Sequence, residues 1–288
     1  MPILQTILMG IVQGLSEFLP ISSSAHLVFT SNFYKVFKNI EIVQQSNEEV
    51  FLDIMLHLGT LIAVIIFFRK DIWDICKALI EVCKDNEILK QVQNDTSKNA
   101  KLGIYIIIGT IITIALALPI NEVAEHLVYH PAIVGGLLIL TGFVLFFSEY
   151  LSKKRTEKYD YPNLKQSILI GLAQGLAVLP GFSRSGWTIA TGLFSGLNRE
   201  TAARYSFLLS IPIILGASMV YPLIKIDVAE AVEYNWTAII LGTIVSAIVG
   251  YFCIKYFMKF ISKFSLNIFG WYCVLMGIFT MIFFIIYK

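Results

Sequence analysis

The sequence contains few charged residues for its length. Asp, Glu, Lys and Arg make up 15% of the 288 residues, whereas apolar residues make up 57%. The mean hydropathy of +0.74 lies outside the range of soluble domains and is typical of a polytopic membrane protein. Basic residues exceed acidic ones by only two, and no basic patch is typical of a nucleic-acid-binding face. We therefore expect the bilayer, and no nucleic acid, as a partner.

The sequence also lacks disulfide, redox and leader signals. Its four cysteines (Cys76, Cys83, Cys253 and Cys273) do not have the spacing of a metal or redox motif, which predicts unpaired thiols. The N-terminus has no basic segment followed by a small-residue cleavage site, so no removable signal peptide is expected. No segment is typical of a separate soluble domain. The sequence predicts a single membrane domain over residues 1–288.

Apolar runs long enough to cross about 30 Å of hydrocarbon recur along the chain. Six full spans are predicted, at 51–68, 102–120, 131–150, 205–223, 236–257 and 267–287. A broken apolar pair precedes the first span (3–19 with 22–34) and another precedes the fourth (166–179 with 183–197). Each break contains a proline and a serine cluster, which end one helix and start the next. The short second members predict two re-entrant hairpins of half-helices, packed in protein or facing a wet cavity.

The distribution of Lys and Arg predicts the orientation of the spans. Placing 69–101, 151–166, 198–204 and 255–266 in the cytoplasm puts 17 of the 22 basic residues inside and 4 outside, with Arg184 inside a hairpin. Strict alternation then places the N-terminus outside and makes the two hairpins enter from opposite faces. The predicted fold is an all-α inverted-topology repeat with halves at about 1–150 and 151–288, whose sites lie near the midplane.

The two hairpins contain imperfect copies of one motif, at 10–26 and 171–186. The copies share the pattern Gly-x-x-Gln-Gly-Leu followed by Leu-Pro and a serine. They differ in charge, because the first contains Glu17 and His26 and the second contains Arg184. Ionisable groups in hydrocarbon cost at least about 2.5–3.5 kcal/mol at mid-helix. The pattern predicts one composite site in which both serine-rich tips face a central cavity.

Glu17, Ser23 and His26 are the candidate catalytic residues of the first copy. Glu17 lies on one helix face with Gln13 and is a candidate general base or ligand of a divalent cation, although a polar helix end remains an alternative. His26 shares a face with Ser22 or Ser23, so an activated nucleophile or a general acid is predicted; a structural histidine between helices is the alternative.

Arg184 is the candidate phosphate clamp, since a guanidinium binds phosphate with two parallel hydrogen bonds. An arginine reaching towards the interface is the alternative. The serines around the two helix N-termini complete the predicted phosphate-binding set, because an N-terminus with free N–H groups binds anions and a serine there also caps the helix. These serines are Ser22, Ser24, Ser183 and Ser185.

Several other polar residues carry less weight. Asp53 and His57, four residues apart at the start of the first full span, are equally compatible with structure and function. Gln13 and its counterpart Gln174 are secondary candidates. The pair His126 and His130 is expected to be solvated, the Gly-x-x-x-Gly spacings are typical of close helix packing, and 69–101 is expected to be an amphipathic cytoplasmic segment.

At these residues the chain resembles the undecaprenyl-pyrophosphate phosphatase family, the integral-membrane enzymes of bacterial lipid-carrier recycling. The matching segments are 13–26, 56–61, 180–186 and 205–212. The resemblance implies hydrolysis of a C55 isoprenyl diphosphate to the monophosphate, with Mg²⁺ or Ca²⁺ as cofactor. It also implies a site open to the extracytoplasmic side of the plasma membrane. By position, Glu17 and His26 are catalytic, Ser23 is the nucleophile or a substrate contact, and Arg184 binds phosphate.

Two positions depart from the family pattern. Gln13 stands where Glu is frequent, and Ala25 stands where Gly is usual. Because an amide cannot act as a general base, Glu17 would be the acid–base residue of this helix, and Asp53 is a further candidate. The sequence does not decide whether Ser23, His26 or water attacks, and a homodimer is one of the assemblies it leaves open.

A polyprenyl-phosphate flippase is the main alternative, since inverted repeats with broken helices are transporter architecture and would need the same anion site. A lipid phosphatase of the other major membrane class is weaker, because the chain lacks a histidine shortly after Arg184.

Overall fold

In a computed structural model, the protein is a bundle of α-helices. The structure describes residues 2–37, 46–84, 95–225 and 233–286, and these contain no β-strand. The predicted segments 69–101 and 267–287 each lie partly outside the described residues. The helices of the first half are α1 (Ile3–Ser16), α2 (Ser23–Phe37), α3 (Asn47–Phe67), α4 (Arg69–Lys84), α5 (Asp95–Leu127) and α6 (Pro131–Lys154). Those of the second half are α7 (Leu164–Leu176), α8 (Arg184–Phe194), α9 (Arg199–Lys225), α10 (Trp236–Ile261) and α11 (Asn267–Ile286).

Six of these helices are long and apolar enough to cross a membrane, as predicted: α3, α5, α6, α9, α10 and α11. The protein is thus an all-α, multi-pass membrane protein. Several helices extend past the predicted spans because polar residues at their ends join the helix. In α3, for example, Ser46 accepts a hydrogen bond from the backbone of Glu49, and the Glu49 side chain accepts one from the backbone of Ser46.

Residues 121–127, which follow the predicted span 102–120, are helical as well. Helix α5 continues to Leu127 with Pro119 inside it. Membrane helices tolerate an internal proline when neighbouring groups satisfy the freed carbonyl. Hydropathy falls after residue 120, but polarity alone does not end a helix.

Both broken pairs form hairpins of two short helices. Helices α1 and α2 are separated by residues 17–22, and α7 and α8 by residues 177–183. Both turns contain a residue in the left-handed region, Ser22 (φ 69°) in the first and Gly181 (φ 100°) in the second. A Cβ on Gly181 would also lie 2.5 Å from the carbonyl oxygen of Val134. Both the positive φ and the lack of space for a side chain therefore require glycine at this position.

The two halves make matching glycine contacts. A Cβ on Gly10 of α1 would lie 2.6 Å from the Gly242 oxygen of α10, and a Cβ on Gly171 of α7 would lie 2.7 Å from the Gly109 oxygen of α5. In both cases, the first half-helix of a hairpin therefore packs on the second full span of the opposite half. Such close contacts between small residues are how membrane helices associate without a hydrophobic driving force.

Helices α6 and α11 pack as an antiparallel pair through four glycines. A Cβ on Gly135 would lie 2.9 Å from the Gly277 oxygen, and one on Gly142 would lie 2.7 Å from the Gly270 oxygen. The earlier glycine of α6 thus contacts the later glycine of α11, and the later glycine of α6 contacts the earlier one of α11. The two helices therefore run antiparallel. Equivalent helices that pair antiparallel are what a two-fold axis in the membrane plane produces. These contacts agree with an inverted repeat, while the boundary near residue 150 stays a prediction.

Candidate active site

The tips of the two hairpins contact each other. The Ser185 hydroxyl of the second hairpin donates to the Leu19 carbonyl of the first, at 2.9 Å. In the other direction, the Ser22 hydroxyl donates to the Phe182 carbonyl at 3.4 Å. The polar residues of two segments 160 positions apart therefore lie in one place, as the composite-site prediction requires.

The carboxylate of Glu17 is the centre of this cluster. Its Oε2 accepts hydrogen bonds from Gln13 Nε2 at 3.0 Å and from the Ser23 hydroxyl at 2.6 Å. Its Oε1 accepts from Arg184 Nη2, which makes an ion pair across the two hairpins. His57 Nε2 lies 3.6 Å from Oε2. Glu17 is only 6% exposed, and a buried carboxylate needs this number of donors to remain charged.

One guanidinium nitrogen of Arg184 is available to bind a ligand. It is the first residue of α8, directly after Ser183, whose hydroxyl accepts from the Gly186 N–H and caps the helix. Among the described residues, Arg184 Nη1 is buried and has no hydrogen-bond partner. A buried donor without a partner costs free energy of about 1–3 kcal/mol. This nitrogen is therefore suited to donate a hydrogen bond to an oxygen of a bound anion.

Ser23 is the serine whose hydroxyl reaches the carboxylate. The other candidate serines use their hydroxyls to hold the turns: Ser22 accepts from the Ala25 N–H at 3.3 Å and lies 3.2 Å from the Ser24 hydroxyl. The hydroxyls of Ser183 and Ser185 lie 3.3 Å apart. Their predicted contact with phosphate stays a prediction, whereas the predicted capping by Ser22 and Ser183 is confirmed.

His26 does not lie where a Ser–His pair beside Glu17 would place it. Its Nδ1 lies 2.7 Å from the Ser22 carbonyl oxygen and its Nε2 lies 2.7 Å from the Tyr272 hydroxyl. Neither partner is Ser23 or Glu17. A spacing of three residues put Ser23 and His26 on neighbouring sides of α2, but the backbone turn at Ser22 directs Ser23 to Glu17 and leaves His26 facing α11.

His57 takes the place that the sequence suggested for His26. Its Nδ1 lies 2.7 Å from the Asp53 carbonyl oxygen one turn earlier in α3, which orients Nε2 towards Glu17. Asp53 thus contributes its backbone carbonyl to the site. The spacing of four residues was the available signal, and it did not distinguish a structural histidine from a site residue.

Two supporting residues carried no clear sequence signal. Thr141 of α6 accepts from the Ser183 N–H at 3.3 Å and the Trp187 indole N–H at 3.2 Å, and it donates to the Gly181 carbonyl at 3.0 Å. It therefore holds the tip that presents Arg184. Tyr272, on the second turn of α11, was the other residue without a signal.

Gln174 lies in the fold but has a different partner from Gln13. Its Nε2 donates to the Thr113 hydroxyl at 3.1 Å, and that hydroxyl also donates to the Gly171 carbonyl at 3.0 Å. These bonds join α7 to α5. The two copies of the motif have therefore diverged at this position. The Gln13 amide donates to Glu17, whereas the Gln174 amide contributes to the contact between α7 and α5.

Two oxygen-bearing side chains would fit a hard divalent cation. Gln13 Oε1 is buried and has no hydrogen-bond partner among the described residues, and Gln13 donates to Glu17 from the same face of α1. No group of three or more His, Cys, Asp or Glu residues in the described part of the chain lies close enough to hold a metal. Mg²⁺ is usually held by one or two protein oxygens together with substrate phosphates, a donor set this site can supply.

An apolar groove of about 350 Å³ begins beside His26 and Tyr272. Its other walls are formed by residues of α1, the first turn and α11, including Val12, Leu19 and Phe269. The polar cluster is therefore adjacent to a surface suited to hydrocarbon.

Comparisons with known proteins show the family of the chain. The family model of the bacitracin resistance protein BacA matches residues 6–279. The undecaprenyl-diphosphatase of Methanosphaera stadtmanae is 40% identical over 284 residues, which cover 97% of each chain. That of Halothermothrix orenii is 38% identical over 285 residues and 98% of each chain. Undecaprenyl-diphosphatase 2 of Halalkalibacterium halodurans is 38% identical over 287 residues, covering 99% of this chain and 97% of the relative. The chain therefore belongs to the family of the bacitracin resistance protein BacA.

Proposed function

We propose that this protein hydrolyses undecaprenyl diphosphate to undecaprenyl phosphate and inorganic phosphate, and so recycles the lipid carrier of cell-wall synthesis. The observation that carries the proposal is the cluster of Glu17, Ser23 and Arg184, with an unpaired guanidinium nitrogen in a membrane-embedded site. The relatives described above are named for this activity, and a flippase function gains no support from them.

Arg184 binds the diphosphate in this mechanism. Its Nη2 is held by Glu17, which fixes the plane of the guanidinium, and its Nη1 donates to a phosphate oxygen. The N-terminus of α8 adds backbone N–H groups and a favourable dipole at the same place. Charge on the phosphates is thus stabilised by groups that are in position before the substrate arrives.

Ser23 is the nucleophile and Glu17 is its base. The serine oxygen attacks the terminal phosphorus, its proton passes to Glu17 along the 2.6 Å hydrogen bond, and the bond from phosphorus to the bridging oxygen breaks. Undecaprenyl phosphate leaves as an anion. Water then attacks the phosphoserine, the protonated Glu17 returns its proton to the departing Ser23 oxygen, and the released phosphate keeps the protons of the water. His26 is a poorer nucleophile because both of its ring nitrogens have partners.

A divalent cation, Mg²⁺ or Ca²⁺, belongs to the proposal as well. Gln13 Oε1 and Glu17 are the residues that would hold it, together with phosphate oxygens, and it would neutralise part of the diphosphate charge. The isoprenyl chain lies along the apolar groove beside His26. The site opens to the extracytoplasmic side of the plasma membrane, as the resemblance to the phosphatase family implies. A homodimer stays a prediction.

The test is phosphate release from undecaprenyl diphosphate by purified protein in detergent. Wild type should release phosphate, and Arg184→Lys should lose about 100-fold or more in kcat/KM, because the single ammonium of lysine cannot bind Glu17 through one nitrogen and phosphate through another. Arg69→Lys, at an exposed arginine, is the matched control and should retain activity. A wild-type protein that releases no phosphate at any Mg²⁺ or Ca²⁺ concentration would overturn the proposal.

Rapid acid quenching with a label on the terminal phosphate tests the nucleophile. Wild type should retain label on Ser23, and Ser23→Ala should retain none and lose activity. Ser262→Ala, at an exposed serine that caps α10, is the control. If wild type turns over without covalent label, the attack by Ser23 is wrong and water activated by Glu17 replaces it.

A further inference from the structure

Tyr272 joins α11 to the hairpin that contains the proposed nucleophile. Its hydroxyl lies 2.7 Å from His26 Nε2. The two rings are stacked, with centroids 5.6 Å apart and an angle of 11° between their planes. The next residue, Cys273, donates its thiol to the Pro20 carbonyl at 3.5 Å. One turn of α11 therefore contacts both the turn between α1 and α2, at Pro20, and the beginning of α2, at His26.

The hydrogen bonds of His26 determine its tautomer. A carbonyl oxygen can only accept, so His26 Nδ1, which lies 2.7 Å from the Ser22 oxygen, must be the protonated nitrogen. In the neutral imidazole, Nε2 is then the acceptor and the Tyr272 hydroxyl is the donor. The result is a directed chain from Tyr272 through His26 to Ser22.

This chain ends on the peptide group that joins Ser22 to Ser23. Ser22 is in the left-handed region at φ 69°, a costly conformation for a residue with a side chain. The carbonyl of that turn accepts the His26 backbone N–H at 3.3 Å, and the imidazole adds a second, shorter hydrogen bond at 2.7 Å. Because the turn sets the direction of Ser23, its stability decides how well the Ser23 hydroxyl points at Glu17, 2.6 Å away.

We propose that Tyr272 is a positioning residue, which fixes the His26 ring and, through the Ser22 carbonyl, the orientation of Ser23 towards Glu17. This inference rests on the proposed hydrolase function, since Ser23 matters only if it reacts. In this geometry His26 acts on the backbone of its own hairpin and makes no hydrogen bond to Glu17 or Ser23. Tyr272, 41% exposed at the groove, is the partner that keeps it there.

Activity measurements separate positioning from a merely structural role. Tyr272→Phe keeps the stacked ring and removes the hydroxyl, so kcat should fall by about 10-fold, as expected when a partner that orients a site histidine is lost, while KM changes little. His26→Gln should reduce kcat, and the double variant should be no slower than the slower single variant, because the two residues form one unit. Tyr150→Phe, at an exposed tyrosine of α6, is the matched control and should retain wild-type kcat.

Nuclear magnetic resonance of the protein with ¹⁵N-labelled histidine tests the hydrogen bond without any substrate. The chain has four histidines, and the signals lost in His26→Gln assign His26. Wild type should show the proton on Nδ1, and Tyr272→Phe should shift the Nε2 signal of His26 while the signals of the other histidines report an intact fold. Tyr150→Phe should shift none of them.

A proton on Nε2 in wild type, an unchanged Nε2 signal in Tyr272→Phe, or additive losses in kcat would each overturn the positioning role. If wild type releases no phosphate, the hydrolase proposal fails, and the magnetic resonance result still decides whether Tyr272 orients His26.

Discussion

At the scale of single residues, the site depends on a buried charge pair and a strained turn. Glu17 and Arg184 come from different hairpins, and neither charge has another partner of opposite sign as close in the part of the chain that the structure describes. Burial of one charge without the other is expensive, since breaking a buried pair costs about 3–5 kcal/mol. The pair therefore holds the two tips together as well as preparing the guanidinium for phosphate.

We expect Glu17→Gln to abolish phosphate release and also to lower thermal stability in detergent. The amide cannot accept the Ser23 proton, and Arg184 would remain charged and buried beside a neutral group. Adding Arg184→Met to Glu17→Gln should recover part of the lost stability but none of the activity, as thermal unfolding and phosphate release can measure. Equal stability of Glu17→Gln and wild type would contradict the structural part of this prediction.

Ser22 provides a second test at this scale, because its φ of 69° favours glycine. Both Ser22→Ala and Ser22→Gly lose the hydroxyl that accepts from the Ala25 N–H. Only alanine keeps the backbone strain, so Ser22→Ala should be less stable than Ser22→Gly by about 1 kcal/mol. Thermal unfolding of the two purified variants gives the order, and the reverse order would show that the turn is not left-handed at Ser22.

At the scale of elements, the half-helices are held by contacts that leave no room for a side chain. Gly10 and Gly171 are equivalent residues of the two motif copies, and each contacts the backbone of a glycine in a span. The same spacing of glycines therefore serves the same purpose in both halves. The chemistry differs between the copies, whereas the contacts of Gly10 and Gly171 are alike.

Gly10→Ala and Gly171→Ala should each destabilise the protein by about 1–3 kcal/mol, since the new Cβ would overlap a carbonyl oxygen and force the helices apart. Gly216→Ala is the matched control, because nothing lies within 4 Å of a Cβ at that position of α9. Thermal unfolding in detergent should show two large losses of similar size and no loss for the control. A neutral Gly171→Ala would show that the two halves do not pack alike.

At the scale of the whole molecule, composition determines the spans, and the distribution of Lys and Arg predicts their orientation. The N-terminal half and the C-terminal half each contribute three full spans and one hairpin. The antiparallel contact of α6 with α11 shows that equivalent spans run in opposite directions.

Cysteine labelling in intact cells tests the orientation. In a background with Cys76→Ser and Cys83→Ser, which removes the two exposed native thiols, Glu122→Cys should react with an impermeant thiol reagent added outside. Glu157→Cys should react only after the membrane is opened. The opposite pattern would invert the topology and place the site on the cytoplasmic side.

Much of the fold could be predicted because each part of it follows from local composition. Apolar length specifies the six spans, and Pro20 and Pro180 with their serines specify the breaks. The sides on which Lys and Arg place the loops stay a prediction. The residues of the site were also recognisable, since placing Glu17 and Arg184 in hydrocarbon costs free energy and ionisable residues at such positions are usually functional. Helix ends such as that of α5 were less predictable, because polar residues can continue a helix past the apolar core.

The partners of those residues were decided only by tertiary structure. Sequence spacing suggested that His26 would lie beside Ser23 and Glu17. The left-handed turn at Ser22 instead orients Ser23 towards Glu17 and His26 towards Tyr272, 246 residues away. His57 reaches Glu17 because α3 packs beside α1. The amino-acid sequence by itself determined that this is an inverted, membrane-embedded pair of hairpins with one acid and one guanidinium. Folding decided which side chains meet, because hydrogen bonds between helices depend on packing distances that no local pattern encodes.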